Sequence, residues 1–441
     1  MQYTKYVFCY VVLSVQCLVH LYAQDNVAAK RSSLHWQATA IPQYHPVFSS
    51  PYSGENSLLP NEGIKTSFTA TLFYARRLGK NSLLVFNPEV AGGKGLSKTL
   101  GIAGFPNGEI YRVGDPRPKP YIARLYLEHR FPLSKVRANI AEDVNMVAHN
   151  ANRDYISVLA GKFSLTDFFD NSYVATDPRT QFLNWAFMGS GAFDYPANTR
   201  GYTFGLMTTI KYKHTWIRMA TTTVPTEANG NTLQWKAGKA MGLAVELEQN
   251  NLFRESTNNT TLHAGFFLNK ARMGNYLKAI RTATPGSNPD ITDTRSEGRS
   301  KWGWYISLDR ATQYLDYFIR FSRNDGRNET WAFTEIDRSI TLGIALQGKL
   351  WSRQLDELGM AFGMNSLSRP HRQYLSAGGT GFMLGDGRLN FSQEIIGEMY
   401  YRIQCTRLIC ISPDYQFIVN PGYNKDRGPV HVFAVRFHLA M

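Results

Sequence analysis

The protein has 441 residues, of which 43% are hydrophobic and 13% aromatic, and it carries a formal net charge of +14. Beyond the N-terminus, no segment offers the run of about 20 apolar residues that a membrane-spanning helix needs. This excludes a helical membrane protein but not a membrane barrel, because only every second residue of a barrel strand must be apolar.

The N-terminus has the features of a secretory signal peptide, which we place at residues 1–23. Lys5 supplies the positive charge, Val7–Leu21 supplies the apolar run, and a cleavage site follows Ala23. Residues 24–441 are then expected to form one exported domain. Nucleic acid is not expected as the partner of an exported chain. The basic excess is expected instead to line a pore or to meet acidic lipid headgroups.

The mature chain is dominated by stretches in which apolar and charged residues alternate. In residues 121–130 the two kinds of side chain fall on opposite faces. The apolar set is Tyr121, Ala123, Leu125 and Leu127, and the charged set is Arg124, Glu128 and Arg130. A period of two indicates strands. Many strands with one apolar and one charged face predict an all-β fold, a transmembrane antiparallel β-barrel.

The alternation predicts about sixteen strands, an even number as expected for a bacterial barrel. In chain order they are Leu34–Ile41, Ile64–Tyr74, Leu83–Val90, Tyr121–Phe131, Tyr155–Phe163, Tyr202–Ile210, Thr215–Thr223, Ala240–Glu248, Leu262–Asn269, Trp302–Asp309, Gln313–Ser322, Ile336–Gln347, Leu358–Asn365, Glu394–Ile403, Leu408–Val419 and Val430–Met441.

The predicted connections alternate between short turns and long loops. Lys211–His214 and Arg310–Thr312 are short, whereas Gly92–Pro118 and Ser164–Thr199 are long. An outer-membrane barrel has short turns at one end and long loops at the other. A barrel of sixteen strands also leaves an aqueous lumen, which smaller barrels fill with side chains. A soluble β-propeller would repeat roughly every 40–50 residues, and no such repeat is present.

Several segments resemble the carbohydrate-selective porins of the OprB type. Residues 161–195, GKFSLTDFFDNSYVATDPRTQFLNWAFMGSGAFDY, resemble the signature segment of that family. EIIGEMYYR from Glu394 and PDYQFIVNPGY from Pro413 resemble two of its late strands. HWQATAIPQYHPVFSSPYSGENSL from His35 and LSKTLGIAGFPNGE from Leu96 resemble a Bacteroidetes-type subgroup.

The resemblance implies a sixteen-stranded channel in the outer membrane of a Gram-negative bacterium. Its function would be the passive, facilitated diffusion of mono- or oligosaccharides. The expected partners are sugar solutes and outer-membrane lipid, and no cofactor or metal is implied. The sequence leaves open whether the protein is a monomer or a homo-oligomer such as a trimer.

The selectivity of a porin is set at its constriction, which is usually an inward-folded loop. By resemblance, Ser164–Thr199 is that loop, and its polar and aromatic residues suit sugar hydroxyls and sugar C–H faces. This set is Asp167, Asp170, Asn171, Gln181, Asn184 and Trp185. Two alternatives stay open: the aromatic residues pack the loop against the wall, and Asp170 and Asn171 cap turns.

The inward strand faces are expected to supply charges of both signs. The basic set is Arg124, Lys162, Arg218, Arg320, Arg402 and Arg436, and the acidic set is Glu128, Glu246, Asp316, Glu394 and Glu398. These residues form either a charged eyelet that binds sugar hydroxyls or a mutually paired interior. A basic excess would favour anionic or neutral solutes over cations.

Three other functions would also suit an outer-membrane barrel. A general non-selective porin would have the same barrel without a sugar preference. A barrel enzyme would need a nucleophile with a base, or paired carboxylates, at one rim. The chain contains no HExxH, GxSxG or CxxC motif, so catalysis is not expected. A surface adhesin would use the long loops and have a closed lumen.

Overall fold

A computed structural model of the protein describes residues 30–110, 117–253, 255 and 258–441. Sixteen antiparallel strands form one closed barrel, in which each strand pairs with its neighbours in the chain and the last pairs with the first. The predicted barrel is therefore confirmed. The predicted signal peptide lies outside the described residues. Within the described residues, no helix is long and apolar enough to cross a membrane.

The barrel strands are numbered in chain order, and each predicted strand corresponds to one of them. They are β1 (Ser32–Tyr44), β2 (Lys65–Arg77), β3 (Ser82–Gly93), β4 (Lys119–Pro132), β5 (Tyr155–Phe163), β6 (Thr203–Tyr212), β7 (Thr215–Thr222), β8 (Met241–Gln249), β9 (Asn259–Met273), β10 (Ser296–Ala311), β11 (Leu315–Asn324), β12 (Arg338–Gln347), β13 (Glu357–Ser366), β14 (Glu394–Gln404), β15 (Ile409–Val419) and β16 (Val430–Ala440).

The connections differ between the two ends of the barrel. At one end most are short turns, such as 78–81, 213–214 and 312–314, and this end faces the periplasm in outer-membrane barrels. At the other end every connection is longer, and three loops carry short α-helices. These are α1 (Trp185–Met188), α2 (Tyr276–Thr282) and α3 (Arg369–Ser376). The connection 133–154 is an exception at the periplasmic end, because it forms a hairpin of its own.

The alternation of side chains divides lipid from lumen along each strand. In β11, Phe321 points outward and is exposed, whereas Phe318 and Arg320 point inward and are buried. Inward aromatic rings are accommodated by glycines on the neighbouring strand. Tyr305 pairs with Gly265 and covers it so closely that a β-carbon there would lie 2.0 Å from the ring. Glycine is therefore needed at this position to let the ring lie flat on the wall.

A β-bulge changes the face assignment in β4. Asn87 pairs with Arg124 and Pro88 pairs with Ile122, so one residue of β4 is left over. Proline has no N–H to donate to the ladder, which explains why the irregularity occurs at Pro88. The prediction that Tyr121 shares the outer face with Leu125 and Leu127 was wrong. Tyr121 turns into the lumen instead.

The loops of the extracellular end fold into the barrel and fill one half of it. Phe182 and Phe187 of loop 164–202 pack on Phe318 and Tyr400 of the strands. Phe193 of the same loop packs on Tyr305. The predicted inward-folded loop is thus present. The interior next to β1–β4 remains open, and we call it the open half. The part of the interior in which the loops pack on the other strands is called the filled half.

Candidate functional site

A cavity of about 450 Å³ lies in the open half of the lumen. The strands β1–β4 form its outer wall, and residues 105–110 together with loop 164–202 form most of its inner wall. The inward side chains of the strands and the folded loops therefore meet the same space. This is where a solute crossing the barrel would come closest to polar and aromatic side chains.

The first charged group on this wall is centred on Arg179. Its Nε donates to Oε1 of Glu109 at 2.6 Å, and its Nη2 donates to Oε2 of Glu89 at 3.0 Å. Its Nη1 donates to Thr71 Oγ1 at 3.0 Å. Tyr121 also donates its hydroxyl to Glu89. Arg179 of loop 164–202 is thereby fixed by the barrel residues Glu89 and Thr71 and by the loop residue Glu109.

Burial opposes the charge of both loop members of this group, but it prevails only for Glu109. Burial opposes the charge of Arg179, but Glu109 and Glu89 outweigh it and raise the pKa of the guanidinium. For Glu109, burial raises the pKa more than Arg179 lowers it, and the Glu89 carboxylate adds to the increase. The arginine therefore stays charged, while Glu109 takes up a proton more readily than an ordinary glutamate.

The second charged group joins the wall to the start of loop 164–202. Arg124 donates to both carboxylate oxygens of Asp167, with Nε–Oδ2 2.7 Å and Nη2–Oδ1 2.5 Å. Its third contact is to Asn87 Oδ1 at 2.6 Å. Asp167 also accepts a hydrogen bond from the backbone of Ser164. This bidentate geometry fixes both partners in position.

A stack of aromatic rings also lines the cavity. The ring centroid of Trp185 lies 5.0 Å from that of Phe105 and 4.9 Å from that of Phe333. The interplanar angles are 18° and 16° respectively. Tyr195 continues the stack at 5.0 Å from Phe333. Phe105, Tyr195 and Phe333 are buried, whereas Trp185 is partly exposed to the lumen. Aromatic rings and the two charged groups thus line the same cavity.

Comparison with known families decides the identity of this barrel. A family model described as the carbohydrate-selective porin, OprB family, matches residues 55–441. The chain belongs to this family. It is an outer-membrane porin of a Gram-negative bacterium through which carbohydrates diffuse passively, and it is not an enzyme. A comparison with curated proteins gives no match.

Solved structures share the fold at low sequence identity. OprB of Pseudomonas putida at high pH has a TM-score of 0.68 and 13% identity, covering 93% of this chain and 94% of that chain. The outer-membrane channel DcaP of Acinetobacter baumannii has a TM-score of 0.51 and 9% identity, covering 93% and 97% respectively. At these identities the likeness supports the barrel fold and no detail of the site.

All but a few of the predicted site residues of this porin fall into three groups by position. Four of them line the cavity, and two of these, Arg124 and Asp167, are brought together as a pair. The other two are Asn171, whose side chain is exposed, and Trp185 in the aromatic stack.

A second group holds the loops rather than lining the cavity. Arg320 donates to the carbonyl oxygens of Phe187 at 2.6 Å and Ala175 at 2.7 Å. Arg436 does the same for Pro178 and Gln181 at 2.8 and 2.5 Å. These buried inward arginines therefore use their donors on loop backbone.

Acidic and amide side chains complete the loop attachments. Glu398 accepts the backbone N–H groups of residues 183 and 184 at 2.5 and 2.9 Å. Glu394 accepts those of residues 103 and 104 at 2.9 and 2.8 Å, and Glu246 accepts that of residue 170 at 2.7 Å. Asp170 accepts from Ser190, and Asn184 caps α1 through the N–H of residue 186. This is the paired, structural alternative that the sequence left open.

The third group of predicted residues lies away from the cavity. Glu128 pairs with Arg130 at 2.9 Å, Asp316 accepts from Gln347 at 2.9 Å, and Arg402 lies 3.6 Å from Glu357. These three contacts are made near the periplasmic turns.

Lys162 differs from the inward placement expected for it. On β5 the inward side chains are those of Leu159 and Phe163, and Lys162 alternates with them, as Ala160 does. The ammonium of Lys162 lies 5.8 Å from the centre of the Phe204 ring. It therefore belongs to the outer face.

Arg218 contacts a cluster of side chains that, in the described part of the chain, most resembles a metal site. Glu246, Glu248 and His263 bring potential ligand atoms close together. However, Nη1 of Arg218 already contacts Glu246 at 2.8 Å and Glu248 at 2.5 Å. A guanidinium thus occupies the space between the carboxylates, and we interpret the group as an ion-pair network behind the loop.

Sequence reasoning missed Glu89, Glu109, Arg179 and Tyr121. Glu89 could have been found, because it has the same strand parity as the inward polar residue Asn87. Tyr121 was hidden by the bulge. Glu109 and Arg179 lie in irregular loops, where no periodicity indicates which side chains meet.

Proposed function

We propose that sugars cross the barrel through the open-half cavity, between the charged groups on the β1–β4 wall and the aromatic stack. The observation that supports this path is that both kinds of side chain line one space: Arg179 and Arg124 with their carboxylates, and Trp185. A sugar ring has hydroxyls at its edge and C–H groups on its faces. The hydroxyls would exchange hydrogen bonds with the charged groups while the C–H groups contact the exposed part of the tryptophan.

The paired charges suit a neutral solute. Arg179 and Arg124 each retain contact with a carboxylate, so these two ion pairs offer both donors and acceptors to a solute. Hydrogen bonds to charged groups are stronger than those between neutral groups. Water leaving the wall would be replaced by sugar hydroxyls in similar geometry. Binding of this kind has to be weak enough for the solute to leave again.

The direct test is liposome swelling with glucose, maltose, maltotriose and amino acids of matched size. We expect faster swelling with sugars than with the matched amino acids. Trp185→Ala should slow sugar entry at low concentration while leaving amino-acid entry unchanged, because it removes only the apolar face. An aromatic contact is worth about 0.5–1.5 kcal/mol, which corresponds to a loss of about two- to tenfold in sugar affinity.

The matched control is Trp235→Ala, since Trp235 is 65% exposed and packs on Phe204 of the outer face. Equal swelling rates for sugars and amino acids would indicate a general non-selective porin instead. An effect of Trp235→Ala equal to that of Trp185→Ala would overturn the proposed path.

We further propose that each chain contains a complete path of its own. One chain closes the barrel around this cavity through the pairing of β16 with β1, so transport would require no second copy whether the porin is a monomer or a trimer. The outward apolar residues, such as Leu206, Met219 and Leu342, would contact outer-membrane lipid. Light scattering of the detergent-solubilised protein, corrected for bound detergent, separates the two oligomeric states.

A further inference from the structure

The connection 133–154 is unlike the other turns at the periplasmic end. It extends the pairing of β4 and β5 through the backbone of Leu133 and Asp154, N···O 2.9 Å. It then forms a separate two-stranded hairpin, Arg137–Ile140 with His149–Asn152. Hydrogen bonds between Asp143 and Met146 close a tight turn at its tip, at 2.9 and 3.2 Å.

The hairpin is packed into the barrel rather than extending away from it. Val147 is fully buried in a cluster with Phe73, Ala75 and Val85, which are inward residues of β2 and β3. Tyr126 of β4 packs against the same cluster. The apolar side of the hairpin therefore lies on the inner surface of the wall that bounds the open half.

Polar contacts attach the hairpin to the start of β1. Glu142 accepts a hydrogen bond from Ser33 Oγ at 2.6 Å, and its carboxylate lies 3.2 Å from Nε2 of His35. The N–H of Lys30 donates to the carbonyl of Ala148 at 3.0 Å. These contacts and the Val147 cluster hold the hairpin against the inner surface of β1–β4.

The tip of the hairpin reaches the solute cavity. Asn145 and Met146 line the same cavity as Arg124, Asp167 and Trp185. Met146 is 37% exposed, and Asn145 is exposed as well. A solute that has passed the charged groups thus meets an amide and a thioether before it reaches the periplasm.

We propose that the hairpin 133–154 is a second constriction, at the periplasmic exit, and that Asn145 and Met146 set the size and polarity of solute that leaves. This inference rests on the proposed path through the open half. Methionine is unbranched and adapts its shape, so it restricts the exit without a fixed geometry. Asn145 offers both a donor and an acceptor to a departing hydroxyl.

The test is single-channel conductance in planar bilayers. Met146→Trp and Asn145→Trp should each reduce the conductance to about half or less, because a bulkier side chain narrows the lumen. Asn139→Trp is the matched control, since Asn139 lies on an exposed strand of the same hairpin and does not line the cavity. It should leave the conductance unchanged.

A deletion provides the opposite change. Replacing residues 135–152 with an Asn-Gly turn retains the paired Leu133 and Asp154 and suits a two-residue hairpin loop. Conductance should rise at least about twofold, and maltotriose should enter liposomes faster relative to glucose. Heat-modifiable electrophoretic mobility checks that the barrel is folded. If the deletion variant does not fold, the two tryptophan variants carry the test.

Ion conductance separates this proposal from the proposed sugar site. If sugars fail to reduce the current of the wild-type porin, the sugar path is wrong, but a conductance change on altering the hairpin still supports a constriction. Unchanged conductance in the folded deletion variant, or in both Met146→Trp and Asn145→Trp, would overturn the second constriction even if sugar binding is confirmed.

Discussion

The two halves of the barrel interior contain the same kinds of side chain but use them differently. In the filled half, Arg320 and Glu398 form hydrogen bonds with the loop backbone. In the open half, Arg179 and Asp167 also have partners, yet they still face a cavity. Inward position alone therefore does not make a charged residue part of the path. What decides its role is whether a loop backbone or open space lies in front of it.

The largest expected effect comes from cutting a loop attachment in the filled half. Arg320→Ala removes the donors to two buried carbonyls and leaves Asp170, 3.6 Å away, without its cation. Breaking a buried charge contact costs about 3–5 kcal/mol. We expect a decrease of that size in the free energy of unfolding in urea, together with larger and noisier single-channel currents as loop 164–202 loosens.

The control for this change lies on the same strand. Arg323 is exposed on the outer parity of β11, so Arg323→Ala should alter neither the stability nor the current. If Arg320→Ala leaves both quantities unchanged, the assignment of the filled half to loop attachment is wrong.

The next effect concerns the wall behind the loops. Gly265→Val would push a side chain into the ring of Tyr305, which itself donates to Glu246 at 2.7 Å. Overpacking of this kind costs about 1–3 kcal/mol, and we expect the urea midpoint to fall accordingly. Gly397→Val is the comparison, because a β-carbon at Gly397 meets nothing within 4 Å. Equal destabilisation by both substitutions would contradict the role given to the glycine–tyrosine pair.

A smaller effect sharpens the description of the open half. Because the pKa of Glu109 is raised, acidification neutralises it at a higher pH than an ordinary glutamate, while Arg179 keeps its charge. The cavity then gains one positive charge. The ratio of cation to anion permeability, measured from reversal potentials in a KCl gradient, should therefore fall as the pH is lowered through that pKa, and Glu109→Gln should remove this step.

Glu62 provides a contrasting carboxylate in loop 45–64. Burial acts to raise its pKa, but hydrogen bonds from His45 and Ser97 lower it to about 2. Glu62→Gln should leave the pH step of the permeability ratio in place. Loss of the step in this variant, or its persistence in Glu109→Gln, would mean that another group titrates.

The smallest effect is expected at Lys162. Its side chain lies on the outer face near Phe204, so Lys162→Gln should change neither the single-channel conductance nor the sugar dependence of the current. A clear change in ion selectivity in this variant would place the ammonium in the path after all.

The sequence predicted the architecture well and the site only in part. Alternation and turn lengths were sufficient for sixteen strands because every strand has one apolar face. The same alternation cannot distinguish Arg124 from Arg320, since both point inward and only the folded loops determine what each one meets. Tyr121 was misassigned because one bulge at Pro88 reverses the parity. Glu109 and the hairpin tip at Met146 lie in loops, whose long-range contacts have no local sequence signal.

The most direct test of the central claim is a structure of the porin with glucose bound. We predict the sugar in the open half, with its C–H groups in contact with Trp185 and its hydroxyls within hydrogen-bond distance of Arg179 and Glu109. Glucose found only in the filled half or outside the lumen, in a protein that still transports it, would contradict the proposed division of the barrel interior.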